Sequence, residues 1–467
     1  MWSKTRSARF HEVDVNKENT LKSRIISSVM ALTLTPVLAF AEPYESRYEP
    51  LPSETLLLKG GTILTGTGEQ IDSGDVLIKD GKIARVGKNL KAKGAKVIEL
   101  NGAWVTPGII DVHSHLGAGG QPSVRAHSDI NEATAPTTPD VWIEHSVWPQ
   151  DQGFVTALAG GITTLQILPG SANLIGGRSV TLKNVPARTV AEMKFPGAPY
   201  GLKMACGENP KRVYGGKGRA PSTRMGNVAG YRAAWIDALD YQAKIDKAIE
   251  KEEALPKRDL AKETLIGVLK GEILVHNHCY RADEMATMLD IADEFGYKVT
   301  AFHHAVEAYK IADLLAEKGV CSAVWADWWG FKMEAYDGIK ENAALLENAG
   351  ACAVVHSDDA HGIQRLNQET SKIVGAVKRV GVNIPKAKAI QWITLNAAKA
   401  LGVDEQTGSI EEGKMADVVV WNTDPFSVYA LAEQVYIDGA LAFDRNDPSR
   451  QPMMDLGLGN GVIGGGL

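Results

Sequence analysis

Alternating apolar and polar positions mark short strands at both ends of the chain. Residues 55–64 read as a strand, and 66–72 as a turn region. Residues 76–79 and 82–86 then suggest a hairpin around Asp80-Gly81, with 96–100 as another short strand. Near the other end, residues 416–421 form a strong strand pattern, and 435–437 precede Asp438-Gly439 in a similar way. Each set alone is short of apolar surface to bury, so the pattern predicts one small β domain built from both ends.

Between those ends the period changes, and strand-like runs alternate with helical stretches. Residues 160–166, 272–276, 298–304 and 351–357 read as strands, whereas 282–295, 307–317 and 384–401 read as helices. The alternation predicts an α/β fold, a barrel whose strand ends ring one centre, with an open parallel sheet as the alternative. No GxGxxG or phosphate-loop motif supports the open sheet. Residues 168–221 are irregular and rich in Gly and Pro, which fits either a substrate-covering excursion or a solvated loop.

The 467 residues suffice for a large core or two domains, and 44% hydrophobic with 23% charged residues is ordinary for a soluble globular chain. A formal charge of -6, with no basic stripe, argues against a nucleic-acid partner. Lys22 and Arg24 precede an apolar stretch that ends Ala39-Phe40-Ala41, the form of a secretory signal cleaved after Ala41. Pro36 and the stretch's shortness disfavour a membrane anchor, so no stable insertion is expected after cleavage. The expected address is therefore periplasmic or secreted. Cys206, Cys279, Cys321 and Cys352 are scattered without a CxxC pair, so their connectivity stays open; Cys279 reads as a small buried thiol.

Candidate chemistry concentrates where apolar runs end. His113 and His115, spaced i, i+2, can point the same way from one extended strand and form half a metal cage. Downstream, Lys203 follows Gly201-Leu202, Glu208 lies in Cys206-Gly207-Glu208-Asn209, and His276 and His278 end another run. His303-His304 and Asp358 end two more. Recurrent His, His and Asp after successive strands point to a metal ringed by strand ends.

Those residues, with Pro107-Gly108-Ile109-Ile110-Asp111-Val112-His113-Ser114-His115, Ser357-Asp358, the run 394–402 and the run 408–417, resemble the amidohydrolase superfamily over roughly residues 55–445. The nearer likeness is to imidazolonepropionase-related and Xaa-Pro-dipeptidase-like members. The resemblance implies a TIM-like (β/α)8 metal-dependent hydrolase barrel with a composite β-sandwich. The implied division is a signal peptide at 1–41, the sandwich at 42–106 and 402–450, the barrel at 107–401, and a flexible tail at 451–467.

By the same resemblance His113, His115, His276, His304 and Asp358 are metal ligands, with Lys203, carbamylated, or Glu208 supplying a further carboxylate. His276 is preferred over His278, and His303 is expected to face away from the site. One or two divalent ions are implied, zinc being favoured. Asp358 would serve as base and acid, and His304 or His278 would stabilise the oxyanion.

Arg178, Tyr231 and His361 are candidate substrate contacts, and Trp325, Trp328 and Trp329 a candidate aromatic wall. The expected reaction is hydrolysis of a C–N bond in a small peptide, amide or cyclic amide. Deamination, lactone or phosphoester hydrolysis, and an inactive secreted binding protein are the alternatives. The partners expected are a small-molecule or short-peptide substrate, with homo-oligomer formation left open.

Overall fold

The computed structural model describes residues 44–451. The expected signal segment and nearly all of the expected tail lie outside the described residues. The first strands are β1 (Leu56–Leu64), β2 (Gln70–Lys79), β3 (Lys82–Gly87), β4 (Lys96–Glu99) and β5 (Trp104–Pro107). Then follow β6 (Ile109–Ser114), β7 (Ile162–Ile167), β8 (Ile175–Lys183), β9 (Gly201–Ala205), β10 (Leu274–Cys279), β11 (Val299–His304), β12 (Cys321–Val324) and β13 (Cys352–Val355). The last are β14 (Val418–Trp421), β15 (Ala432–Ile437) and β16 (Ala440–Asp444).

Both chain ends share one eight-stranded sheet in the order β16-β15-β14-β5-β1-β2-β3, with β4 also paired to β1. All of these strands pair within this one sheet, β1 having β2, β4 and β5 as neighbours. The Asp80-Gly81 hairpin forms as its sequence predicts: both residues take positive φ, 51° and 75°, the turn that matches strand twist. Asp438-Gly439 repeats it between β15 and β16, at 47° and 72°. Leu58, Ile63, Val76, Ile78, Val105 and Val418 are fully buried and hold this sheet's own core.

The second sheet runs β6-β7-β8-β9-β10-β11-β12-β13 and curls into a nearly closed barrel. It departs from the uniform (β/α)8 expectation at one place. β8 is antiparallel to both β7 and β9, so the stretch expected to be irregular carries a nine-residue barrel strand. The seven-residue link from β7 is too short for the crossover helix that a parallel pairing requires, and the seventeen-residue link to β9 holds one short helical turn at Val190–Glu192.

The seam between β13 and β6 is closed mainly by a side chain. Asp111 Oδ1 accepts the backbone N–H groups of His113 (3.1 Å) and Ser357 (3.2 Å), and the Ser357 hydroxyl donates to Asp111 Oδ2. The Asp358 N–H donates to His113 O at 3.0 Å, adding one backbone bond. Burial pushes the Asp111 carboxyl up to about 7, and the hydrogen bonds it accepts act against that rise.

Because β8 runs backwards, its last residue emerges at the barrel end remote from the other strands' carboxyl ends. There Lys183, fully buried, meets both carboxylates of the terminal sheet: Asp417 at 3.1 Å and Asp438 at 2.9 Å. Tyr48 and Thr407 donate to the same two carboxylates.

The four cysteines form two disulfides, Cys206–Cys279 and Cys321–Cys352, so Cys279 is not the thiol its sequence context suggested. Adjacent parallel strands explain both pairs. Cys321 and Cys352 are register partners on β12 and β13, and Cys206 directly follows the strand paired with Cys279's strand. Thiol titration of denatured protein is expected to find none before reduction and four after it.

Candidate metal centre

His113 lies in β6 and His115 directly follows that strand, both on one side, as extended alternation requires. Each ring is held by its far nitrogen: His115 Nδ1 lies 2.8 Å from Leu168 O, and His113 Nδ1 lies 2.9 Å from His303 Nδ1. Both Nε2 atoms therefore turn inward onto one oxygen, Asp358 Oδ1, at 3.4 Å from His113 and 3.3 Å from His115.

His304 and His356 complete the group. Ring nitrogens of His113, His304 and His356 lie within 4.8 Å of one another. All three rings are buried, and His113 Nε2, His304 Nδ1 and both His356 nitrogens have no hydrogen-bond partner. Burial holds the His356 imidazole down at about 4 and the other two well below the ordinary histidine range. The Asp358 carboxylate lies beside them, Oδ2 standing 3.9 Å from His304 Nε2. Orphaned buried nitrogens normally cost stability, and a cation in their midst removes that cost. The donor set, imidazole nitrogen plus carboxylate oxygen, fits zinc or a similar divalent ion.

Backbone conformation corrects one expectation. His304 has φ 69° and Ala305 φ 37°, so strand alternation breaks at His304. Both histidines of the pair consequently reach the interior, and His303 does not face away. His303 Nε2 lies 2.9 Å from His276 Nδ1, and His276 Nε2 lies 3.2 Å from the Gln166 amide. An imidazole chain His113–His303–His276 therefore crosses the barrel. Gly201 makes room for it: a Cβ there would sit 2.7 Å from His276 Cδ2 and 3.0 Å from Gln166 Nε2. Asp358 also has positive φ, 52°, a conformation that non-glycine residues adopt mainly where surroundings impose it.

With both nitrogens engaged, His276 lies in the chain behind His113, while His278 flanks the cluster. His278 Nδ1 is 2.7 Å from Ser171 Oγ, and its ring meets His304 edge-on at 4.5 Å.

Lys203 is fully buried beside His276 in register, and its Nζ donates to Pro169 O at 2.8 Å. Burial lowers its ammonium to about 7, with Asp358 acting against the fall. Its charge opposes protonation of His113, His276, His278, His303, His304 and His356.

Several expected contacts lie elsewhere. Glu208 sits apart from the histidines, 3.2 Å from Lys332, because it begins the helix after β9 instead of ending the strand. Arg178 packs outward: Nε donates to Thr264, and the guanidinium lies 4.1 Å over Trp142. Tyr231 is buried on a 27-residue helix, its hydroxyl bound to Ala205 O behind β9. His361 is exposed, and its N–H donates to Asp359.

Instead Lys332 is the cation at the mouth. Its Nζ lies 3.9 Å over the Tyr280 ring and 3.1 Å from Asn209, and Tyr280 stacks on His304 at 5.4 Å. His356 was findable by the rule that found His113 and His115, since it stands two residues before Asp358 on an extended segment. Lys332 carries no signal in its loop.

Residues 104–448 match the amidohydrolase family. A crystal structure of an amidohydrolase from Thermotoga maritima MSB8 shares 36% identity at a TM-score of 0.78, covering 84% of this chain and 100% of that one. Amidohydrolase tasK of Hapsidospora irregularis is 32% identical over 397 residues, 79% of this chain but 40% of its own length. The chain thus spans less than half of that relative. Imidazolonepropionase of Shewanella oneidensis is 25% identical over 385 residues, 74% of this chain and 86% of its own.

Proposed function

The chain belongs to the amidohydrolase family, and from that premise we propose a metal-dependent hydrolase that cleaves a C–N bond in a small amide, cyclic amide or short peptide. The observation that carries this reading is the convergence of His113 Nε2 and His115 Nε2 on Asp358 Oδ1, at an end of the barrel open to solvent through Asp358. His113, His115, His304, His356 and Asp358 would hold the ion, with Lys203 a further ligand once carbamylated. Bound there, a divalent cation supplies Lewis acidity, acidifying water and polarising the substrate carbonyl.

The protein's own groups move the protons. Asp358 takes one from the attacking water as the new C–O bond forms. It returns that proton to the nitrogen as the C–N bond breaks, leaving a carboxylate and an amine, or an opened ring. His278, fixed by Ser171, stands beside the cluster where the carbonyl oxygen gains charge.

Lys203 reacts with CO2 only as the neutral amine. With its ammonium lowered to about 7, the neutral fraction rises about tenfold between pH 6 and 8. A carbamate resonance from 13C-bicarbonate should grow over that range and vanish in Lys203→Met. No resonance at pH 8 would remove the carbamate from the site.

A substrate carboxylate at the mouth would pair with Lys332. Lys332→Met is expected to raise KM about tenfold for N-acetyl amino acids, with kcat changed much less. An equal effect on carboxylate-free amides would refute that pairing.

The test of the reaction itself is a hydrolysis panel of N-acyl amino acids, dipeptides and cyclic amides, run before and after chelation and metal return. Failure of every substrate with the metal-loaded protein would sink it. Two disulfides also support export to an oxidising compartment, periplasmic or extracellular. Among the described residues no helix is long and apolar enough to cross a membrane.

A further inference from the structure

The two disulfides stand at opposite ends of the barrel strands. Cys321 and Cys352 are the first residues of β12 and β13, at the amino ends. Cys279 is the last residue of β10, and Cys206 directly follows the last residue of β9. That second pair therefore lies at the carboxyl ends, where the histidines cluster. It also joins the strand of Lys203 to the strand of His276 and His278.

Cys279 is tied on two sides. It is the register partner of His304 across β10 and β11, and its carbonyl accepts the Ala305 N–H at 3.0 Å. Its sulfur is bonded to Cys206, whose own N–H donates to His278 O at 2.8 Å. Both cysteines are buried in the main apolar core with Val275, Met285 and Met288. Adjacent strand side chains alternate, so with His278 turned to the cluster, Cys279 faces the barrel's outer side and is no metal ligand. What it holds is backbone. His304 and Ala305 have φ of 69° and 37°, a conformation that persists only where neighbours impose it. The Cys279 carbonyl is one such neighbour, and the disulfide fixes where that carbonyl stands.

We propose that Cys206–Cys279 is a positioning bond for the metal centre. It holds the end of β10 against β9 and, through Ala305, keeps the His304 ring turned to the ion. Tight metal binding thus follows oxidation of these two thiols. Their two electrons and two protons pass to a disulfide-exchange partner, which leaves as its dithiol. The inference rests on the metal-dependent reading but on no particular substrate, because ion binding is read without turnover.

The experiment titrates zinc into the metal-free full chain against a chromophoric chelator. It compares the wild type, Cys206→Ala with Cys279→Ala, and Cys321→Ala with Cys352→Ala. Loss of a support behind the ligands typically costs about 10–100-fold in metal affinity. The zinc Kd is therefore expected to rise at least tenfold in the first double variant and to stay within threefold in the second. The two pairs span 73 and 31 residues, so chain entropy makes the first the larger loss of stability as well. Titrations are run well below every unfolding midpoint, and a cycle with His304→Ala separates positioning from general loosening. In the His304→Ala background, removing Cys206–Cys279 should change Kd less than threefold. An equal loss in both backgrounds, or in both disulfide variants, overturns the assignment, as does a wild type that binds no zinc.

Should the alanine pair not fold, protein carrying only Cys206–Cys279 is refolded with a phosphine present, titrated, and titrated again after reoxidation. Affinity should fall on reduction and return on reoxidation. A rise on reduction, the sign of thiolate ligation, overturns the proposal. So does failure of both forms to fold, which makes the bond purely structural. Zinc bound tenfold more tightly with the disulfide, but without hydrolysis of any amide, supports the positioning bond and sinks the reaction class.

Discussion

Asp358→Asn is expected to lower kcat about 10²–10⁴-fold, the range typical for loss of a positioned general acid–base. The amide keeps the shape and one oxygen but cannot accept a proton from water or return one to the leaving nitrogen. Its placement makes the loss specific. The carboxylate faces two imidazoles whose opposite nitrogens are already held by Leu168 O and His303, so neither of those two can rotate into its role. The loop stays anchored through its backbone, because the Asp358 N–H donates to His113 O. Metal content measured on the same preparation separates the two duties of this residue. A variant that retains most of its metal and has lost turnover identifies Asp358 as the proton carrier. Turnover within threefold of the wild type at equal metal content would remove it from that role.

What the sequence disclosed and what it withheld follow from how local each signal is. His113 and His115 were legible because two-residue alternation along one strand fixes their direction without knowledge of neighbours. The Asp80-Gly81 and Asp438-Gly439 turns were legible for the same reason, since their chemistry lies within two residues. His303 was misjudged because the alternation rule holds only while φ stays extended, and φ 69° at His304 turns both rings inward. Only the surrounding barrel can impose that strain.

The antiparallel course of β8 was hidden because direction within a sheet is a tertiary property. Arg178 and Tyr231 failed as substrate contacts because a polar head on an α/β chain points outward as readily as inward. Glu208 failed because it begins a helix, one position past the turn where the strand's inward face ends. Lys332 belongs to a loop whose sequence has no period, so nothing local announced it.

Lys183→Met is expected to destabilise the protein by about 3–5 kcal/mol, the cost of leaving buried charges without their partner. Here the residue removed faces two carboxylates, Asp417 and Asp438, both with almost fully buried side chains. Burial and the nearby Asp417 already raise the Asp438 carboxyl, with Lys183 acting against them, so losing the lysine raises it further. The lysine also joins β8, the barrel strand that runs antiparallel to both its neighbours, to the sheet made from both chain ends. Its loss therefore weakens a junction as well as a contact.

Thermal unfolding should move down by several degrees, and urea unfolding should show a lower midpoint. A compensated variant, Lys183→Met with Asp417→Asn and Asp438→Asn, removes all three charges together and should recover part of the loss, because neutral amides cost less to bury than unpaired carboxylates. The metal cluster lies at the opposite end of the barrel, so kcat of the folded Lys183→Met protein should stay within a few-fold of the wild type. Unchanged unfolding in Lys183→Met, or a triple variant less stable than the single one, would show that this buried triad does not hold the two sheets together.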